Sequence, residues 1–301
     1  MASTDRSRAV LVTGCSSGIG RATALTLARQ GWTVWATARR PETLADLAAA
    51  GCRTLALDVT DEDSMRAAVA AIEREHGAVA ALINNAGYSQ SGALEELEPA
   101  RLRRQFETNV FGLLRLTQLV LPGMRRQGWG RVVNIGSIAG RLTFPGGGAY
   151  HATKHAVEAL SDALRWEVEA FGIDVVLVQP GLIRSGFTEA AVASIASRAE
   201  GPYADFDAAV ARTTADTYVK GPLSLLTGES ADVARVVARA LSARRPRTRY
   251  AVSGSAYLLL ALRRLLTDRL WDRAMRLFYP RPGAARAPAA EGGPKLGAAG
   301  S

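Results

Sequence analysis

Short apolar runs alternate along this chain with longer stretches in which apolar residues recur every three or four positions. Ala9–Val12, Thr33–Ala38, Thr54–Leu57, Ala80–Ile83, Arg131–Ile135 and Asp174–Val178 are too brief for helices, and most are rich in β-branched or other apolar side chains; they predict buried strands. Between them Arg21–Gln30, Asp61–His76, Leu102–Arg126 and Ala152–Phe171 carry helical spacing. Strand–helix alternation of this kind predicts an α/β fold, a doubly wound parallel sheet with helices on both faces. A weaker run, Arg249–Ser253, supplies an edge strand and brings the sheet to about seven. One domain over residues 1–255 accounts for the pattern.

Two regions break the rhythm. Residues 182–229 hold two Gly-Pro pairs and the scattered aromatics Phe187, Tyr203, Phe206 and Tyr218. They follow the carboxyl end of a strand, where doubly wound sheets bind ligands, so they are expected to cover substrate. Residues 256–279 set leucines and aromatics among Arg263, Arg264, Arg269, Arg273 and Arg276 at helical spacing, predicting one basic amphipathic helix. Such a helix closes a pocket, packs on a partner subunit, or lies on an anionic membrane surface. Residues 280–301 are mostly Gly, Ala and Pro and are expected to be disordered.

Composition narrows the class. Hydrophobic residues make up 48% of the 301, enough for a sizeable core, yet no run approaches the roughly 18 to 20 apolar residues of a membrane span. Met1–Arg8 is short and polar with no apolar signal segment behind it, so a cytoplasmic location is expected. Two cysteines, Cys15 and Cys52, agree with a reducing compartment. The net charge of +9 is concentrated late: Arg235–Ser301 holds 14 Lys/Arg against 3 Asp/Glu, and the rest is close to neutral. No recognition motif accompanies that charge, so nucleic acid is not an expected partner.

Thr13-Gly14-Cys15-Ser16-Ser17-Gly18-Ile19-Gly20 follows the first strand and opens a helix. Glycines there let the backbone turn tightly and approach a pyrophosphate, whose charge suits a helix N-terminus. Gly14, Ser16, Ser17, Gly18, Ile19 and Gly20 are the expected contacts of a dinucleotide in a Rossmann-type fold; the alternative is an ordinary glycine-rich turn. The second strand ends in Thr37-Ala38-Arg39-Arg40 with no acid before Glu42. A guanidinium binds a ribose 2′-phosphate through charge-assisted hydrogen bonds, which favours NADP(H) over NAD and Arg39 as its holder. Asp58, with Val59 beside it, either accepts from an adenine amino group or caps the helix near Asp61. Asn84-Asn85-Ala86-Gly87 ends the fourth strand, and its small residues let backbone pass close to an adenine ribose.

Ser137 follows the fifth strand, and Tyr150-His151-Ala152-Thr153-Lys154 comes thirteen residues later. Tyr150 and Lys154, four apart, share a helix face. An ammonium beside a phenol, together with an oxidised nicotinamide, draws a tyrosine pKa down from about 10 toward the working pH. Tyr150 is then a general acid for carbonyl reduction. Ser137 orients the substrate oxygen, Lys154 also holds the nicotinamide ribose, and Asn109 holds a water relaying protons to Lys154.

These motifs, in this order over roughly residues 8 to 255, resemble the short-chain dehydrogenase/reductase family. The matching positions are Thr13-Gly14-x-x-x-Gly18-x-Gly20, Asn84-Asn85-Ala86-Gly87, Asn109, Ser137, Tyr150, Lys154 and Pro180-Gly181. The resemblance implies an Asn109–Ser137–Tyr150–Lys154 tetrad, 4-pro-S hydride transfer and cofactor contacts from Asn85, Ala86, Gly87, Pro180, Gly181 and the backbone near Ile183. It also implies homodimers or homotetramers built on the two long helices flanking Ser137. Val34–Arg39 with Asp58-Val59-Thr60 is similar to the 17β-hydroxysteroid and retinol dehydrogenase-like branch, which implies apolar substrates. Leu182-Ile183-Arg184-Ser185 departs from the family's usual threonine after Pro-Gly.

His151 and His155 sit one residue past the Tyr150/Lys154 face and are expected to pack. With His76 the only other histidine, no metal site is expected. Cys15 is expected to fill space in the phosphate loop. The expected function is NADP(H)-dependent hydride transfer to or from an apolar carbonyl/alcohol pair; the alternative is a catalytically silent NADP(H)-binding regulator or scaffold on the same fold.

Overall fold

The computed structural model describes residues 6–195, 201–220 and 222–282. Its strands are β1 (Ala9–Val12), β2 (Thr33–Ala38), β3 (Arg53–Ala56), β4 (Ala81–Asn84), β5 (Gly130–Ile135), β6 (Ile173–Pro180), β7 (Ile183–Arg184), β8 (Gly228–Glu229) and β9 (Arg249–Val252). Seven of them form one wholly parallel sheet in the order β3-β2-β1-β4-β5-β6-β9, and β7 pairs with β8 apart from it. Strand order reverses between β1 and β4, which opens a crevice at the carboxyl ends of these strands.

The helices are α1 (Gly18–Arg29), α2 (Ala45–Ala49), α3 (Glu62–His76), α4 (Pro99–Phe106), α5 (Leu113–Arg126), α6 (Gly148–Val168), α7 (Phe187–Ala193), α8 (Ala204–Thr217), α9 (Ser230–Ser242), α10 (Gly254–Leu265) and α11 (Asp268–Met275). Both faces of the sheet are covered, which explains why its strands are continuous apolar runs rather than alternating ones. In β1, Val10 and Val12 join a core with Leu27 of α1 and Val233, Val237 and Leu241 of α9. Their neighbours Ala9 and Leu11 point the other way, into a core with Val69 and Ile72 of α3 and Leu116 and Val120 of α5.

One polar network runs through this interior. The Asn84 amide donates to Thr117 Oγ1 at 3.0 Å and Asn134 Oδ1 at 2.9 Å, and Asn134 donates to Ser161 Oγ at 2.9 Å. This network fixes β4 and β5 against α5 and α6, the elements that carry the candidate chemistry.

Several sequence expectations change in detail. The stretch Leu102–Arg126 starts earlier, at Pro99, and is interrupted: Glu107–Gly112 winds as a π-helical turn between α4 and α5. Residues 256–279 form two helices rather than one, because Thr267 interrupts the run and caps α11 by accepting from Leu270 N. Within 182–229, the patchy pattern resolves into α7, α8 and a 3-10 turn at Pro222–Leu226. Of residues 280–301, where disorder was expected, 283–301 lie outside the described residues.

Candidate active site

The glycine-rich loop after β1, the phosphate loop expected from the sequence, is held by short side chains. Thr13 Oγ1 accepts from Asn85 N and Ala86 N, both at 2.9 Å, and the Asn85 amide donates to Thr13 O at 2.9 Å and Gly14 O at 3.1 Å. Asn85, an expected nucleotide contact, lines the cleft, and its side chain ties the end of β4 to the loop after β1. Two glycines are dictated by the space left. Gly14 has φ +71°, and a Cβ on Gly20 would lie 2.3 Å from Gly14 O and 2.5 Å from the Asn85 amide nitrogen. The result is a backbone cradle at the start of α1, with Ser16, Ser17, Gly18 and Ile19 lining the adjoining cleft. These donors fit an anionic diphosphate, and no acidic residue occupies the first turn of α1.

Arg39, at the end of β2, lines the same cleft beside Asp58 and Val59; Arg40 does not. Asp58 does not cap α3. Its carboxylate accepts from Thr60 N and Thr60 Oγ1, at 2.9 and 2.8 Å, closing the turn after β3, while Asp61 caps the helix by accepting from Asp63 N and Ser64 N.

At the centre of the cleft, the end of β5 meets α6. The Ser137 hydroxyl hydrogen-bonds the Tyr150 side chain and accepts from Ala139 N at 3.1 Å, so it caps a 3-10 turn as well as facing the phenol. Lys154 is buried and donates to Ile135 O at 2.8 Å, with its ammonium nitrogen 5.7 Å from the centroid of the Tyr150 ring. Burial lowers its pKa from the usual lysine range to about 8. In the protein by itself burial raises Tyr150 well above the ordinary tyrosine value, and the Ser137 hydrogen bond only partly opposes it; the lowering expected from the sequence includes an oxidised nicotinamide. The ammonium is directed at a main-chain carbonyl rather than at the hydroxyl, which explains why desolvation wins.

Asn109 lies within the π-helical turn and is buried. Its Oδ1 accepts from Tyr88 N at 3.1 Å, and its amide donates to Tyr88 O at 2.9 Å and Thr153 Oγ1 at 3.1 Å. Through these bonds the Asn109 side chain clamps the loop after β4 onto α6. Thr13 and Thr153 stand in the loop and helix motifs, but the sequence does not show that Thr13 ties β4 to the loop or that Tyr88 and Thr153 meet Asn109.

Pro180 and Gly181 end β6 and line the cleft with Ile183. The lobe closes it from the other side. Phe187 packs on Tyr150 with ring centroids 5.5 Å apart, and Tyr218 hydrogen-bonds Thr188 within the same space. Leu259, Met275, Phe278 and Tyr279 from the C-terminal segment complete a cleft of about 1210 Å³ that runs from the phosphate loop past Tyr150. His151 bonds Leu142 O through Nδ1 at 2.7 Å and stacks edge-on against Phe144; burial lowers its pKa. Cys15 is buried and its thiol is pushed up to about 12, which suits packing and not redox chemistry.

The family model for short chain dehydrogenases matches residues 8–196. An uncharacterized oxidoreductase of Escherichia coli K12, YbbO, is 35% identical over 273 residues, covering 89% of this chain and 94% of that protein. The NADPH-dependent 3-dehydrocapnine reductase of Ornithobacterium rhinotracheale is 33% identical over 287 residues, covering 90% and 96%. Among solved structures, a short-chain dehydrogenase from Streptomyces avermitilis superposes with a TM-score of 0.75 at 38% identity, covering 90% of this chain and 98% of that one.

Proposed function

This chain belongs to the short-chain dehydrogenase family, an oxidoreductase family that uses nicotinamide cofactors, and within it we propose an NADP(H)-dependent enzyme that reduces apolar ketones or aldehydes to alcohols. The observation that carries this reading is the convergence of Ser137, Tyr150 and Lys154 on one cleft with a glycine cradle at its other end.

The cradle at Gly14–Gly20 would hold the pyrophosphate, with Val59, Ala86, Gly87, Pro180, Gly181 and Ile183 walling the nucleotide path. Arg39 would hold a 2′-phosphate, and the NADPH dependence stated for the Ornithobacterium relative supports that choice. The bound cofactor supplies the hydride. Tyr150 supplies the proton: burial keeps the phenol protonated, the form a general acid must have before it acts. Ser137 donates a hydrogen bond to the carbonyl oxygen and fixes it beside the phenol. Once the proton has moved to that oxygen, the phenolate is stabilised by Ser137 and by the nearby ammonium of Lys154, which a pKa near 8 leaves charged at neutral pH. Asn109 acts as a positioning residue, holding Tyr88 and Thr153. Exposed Phe111 and Trp166, beside α5 and on α6, support a homo-oligomer joined through these helices.

The test is NADPH consumption, followed by absorbance, against a panel of hydrophobic ketones and aldehydes graded in length. Turnover with one or more, and a clear preference over NADH, is the expected result. Tight NADPH binding with no turnover on any member would favour a regulatory or scaffold protein instead.

A further inference from the structure

Helix α10 is apolar on both sides. Ser255, Ala256 and Leu259 are buried, whereas Leu258, Leu262 and Leu265 recur at helical spacing on the flanking face and are exposed, Leu265 to 79%, as is Tyr257. A surface helix ordinarily turns polar residues away from the core. Helix α11 repeats the arrangement: Trp271 is buried and donates to Thr143 O, while Leu270 is exposed and Leu277, seven positions on, is 81% exposed. The apolar surface continues onto the lobe, because the Leu226 side chain abuts Gly254 at the start of α10 and its neighbour Leu225 is 86% exposed.

Among these side chains stand Arg264, Arg269, Arg273 and Arg276, all exposed. Arg263 is spoken for, paired with Asp268 at 2.6 Å and placed over the Trp271 ring. The only acids on the two helices are Asp268 and Asp272.

We propose that the outward face of α10 and α11 rests on an anionic lipid surface, with its leucines at the acyl boundary and its guanidinium groups among the phosphates. No helix among the described residues is long and apolar enough to cross a membrane, so the contact lies in the plane of the interface. A second copy of the chain fits this face poorly. A two-fold contact sets the same arginine-rich patch against itself, with only Asp268 and Asp272 on these helices of each copy to compensate and Asp268 already paired with Arg263. A polyanion such as nucleic acid would satisfy the arginines and leave the leucines in water. Leu259 of α10 and Met275 of α11 also line the cleft, from the inner sides of these helices. Surface binding is independent of the reductase reading and is measured without substrate.

The experiment is co-sedimentation of the full chain with vesicles of phosphatidylcholine plus phosphatidylglycerol, and with phosphatidylcholine vesicles alone. Binding to the mixed vesicles, weakened by salt, is expected. The combined variant Arg264→Glu, Arg269→Glu and Arg273→Glu should reduce partitioning at least about tenfold. The pair Leu265→Gln and Leu270→Gln should also reduce it, both variants keeping the parent's circular dichroism and thermal transition. No binding to the mixed vesicles at low salt overturns the proposal, as does binding that both variants leave unchanged. If the leucine pair alters size-exclusion behaviour and leaves vesicle binding intact, the face joins copies of the chain and the lipid contact is wrong.

Discussion

In the phosphate-loop half of the cleft, short polar side chains and main-chain groups hold one another: Thr13, Asn85 and the backbone of Gly14 and Ala86. The lobe opposite leans on aromatic and aliphatic contacts, Phe187 against Tyr150 and Leu259 and Phe278 along the wall. Hydrogen bonds fix positions to a few tenths of an ångström and tolerate few residue types, whereas apolar surfaces accept many shapes. The first half can serve a ligand that does not vary, and the second one that does. Ser137, Tyr150 and Lys154 stand at the seam, attached to β5 and α6 and facing the lobe.

The largest effect should come from the seam. Tyr150→Phe keeps the ring that Phe187 packs on and removes the transferable proton. Turnover should fall at least about a hundredfold while NADPH affinity, measured by fluorescence titration, stays within about twofold. Equal turnover in the variant would remove the phenol from the mechanism.

A change on the nucleotide side should break that half alone. In Gly20→Ala the added methyl meets Gly14 O and the Asn85 amide, neither of which can yield without undoing the loop. A cost of about 2 kcal/mol in stability is expected, with NADPH binding weakened about tenfold or more. By contrast, Leu223→Ala on the lobe should leave NADPH affinity nearly unchanged and alter the ranking of carbonyl substrates. If the two variants shift cofactor and substrate alike, the halves are not separable.

What could be foreseen from the sequence follows the same division. The strands of the sheet were legible because burial on both faces makes them uninterrupted apolar runs, and the order of Gly14, Asn85, Ser137, Tyr150 and Lys154 located the cleft. The π-helical turn around Asn109 left no mark, since its residues keep ordinary helical spacing. The break at Leu266–Thr267 was hidden because both halves of the segment share one apolar period, and only the capping hydroxyl of Thr267 marks it. The burial that raises the phenol left no mark either, because a sequence shows that Tyr150 and Lys154 share a face and not that the Lys154 ammonium donates to Ile135 O.

Arg39→Asp sharpens the nucleotide side at its rim. The carboxylate repels a 2′-phosphate and accepts from a 2′-hydroxyl, so the NADPH/NADH ratio of kcat/KM should fall about tenfold or more. An unchanged ratio would show that Arg39 does not read the phosphate. Fold stability should not move, because Arg39 is exposed at the strand end.

The smallest effect tests whether the seam is held by burial as strongly as by bonding. Lys154 has a folded pKa of about 8 against an ordinary 10.5. The folded chain therefore releases this proton first, the unfolded chain binds more protons between those values, and stability from this group rises with pH through that window. Between pH 8 and 9 the gain is about 1 kcal/mol. Cys15, with its thiol pushed up to about 12, works oppositely above pH 9, since the unfolded thiol ionises first. Lys154→Met removes the lysine term and leaves the cysteine term in place, so subtracting the two stability curves isolates it. Unfolding by urea in the cofactor-free protein should show the parent gaining about 1 kcal/mol on the variant from pH 8 to 9. Parallel curves would mean that the ammonium is as well solvated by Ile135 O and its surroundings as by water, and that bonding alone holds it.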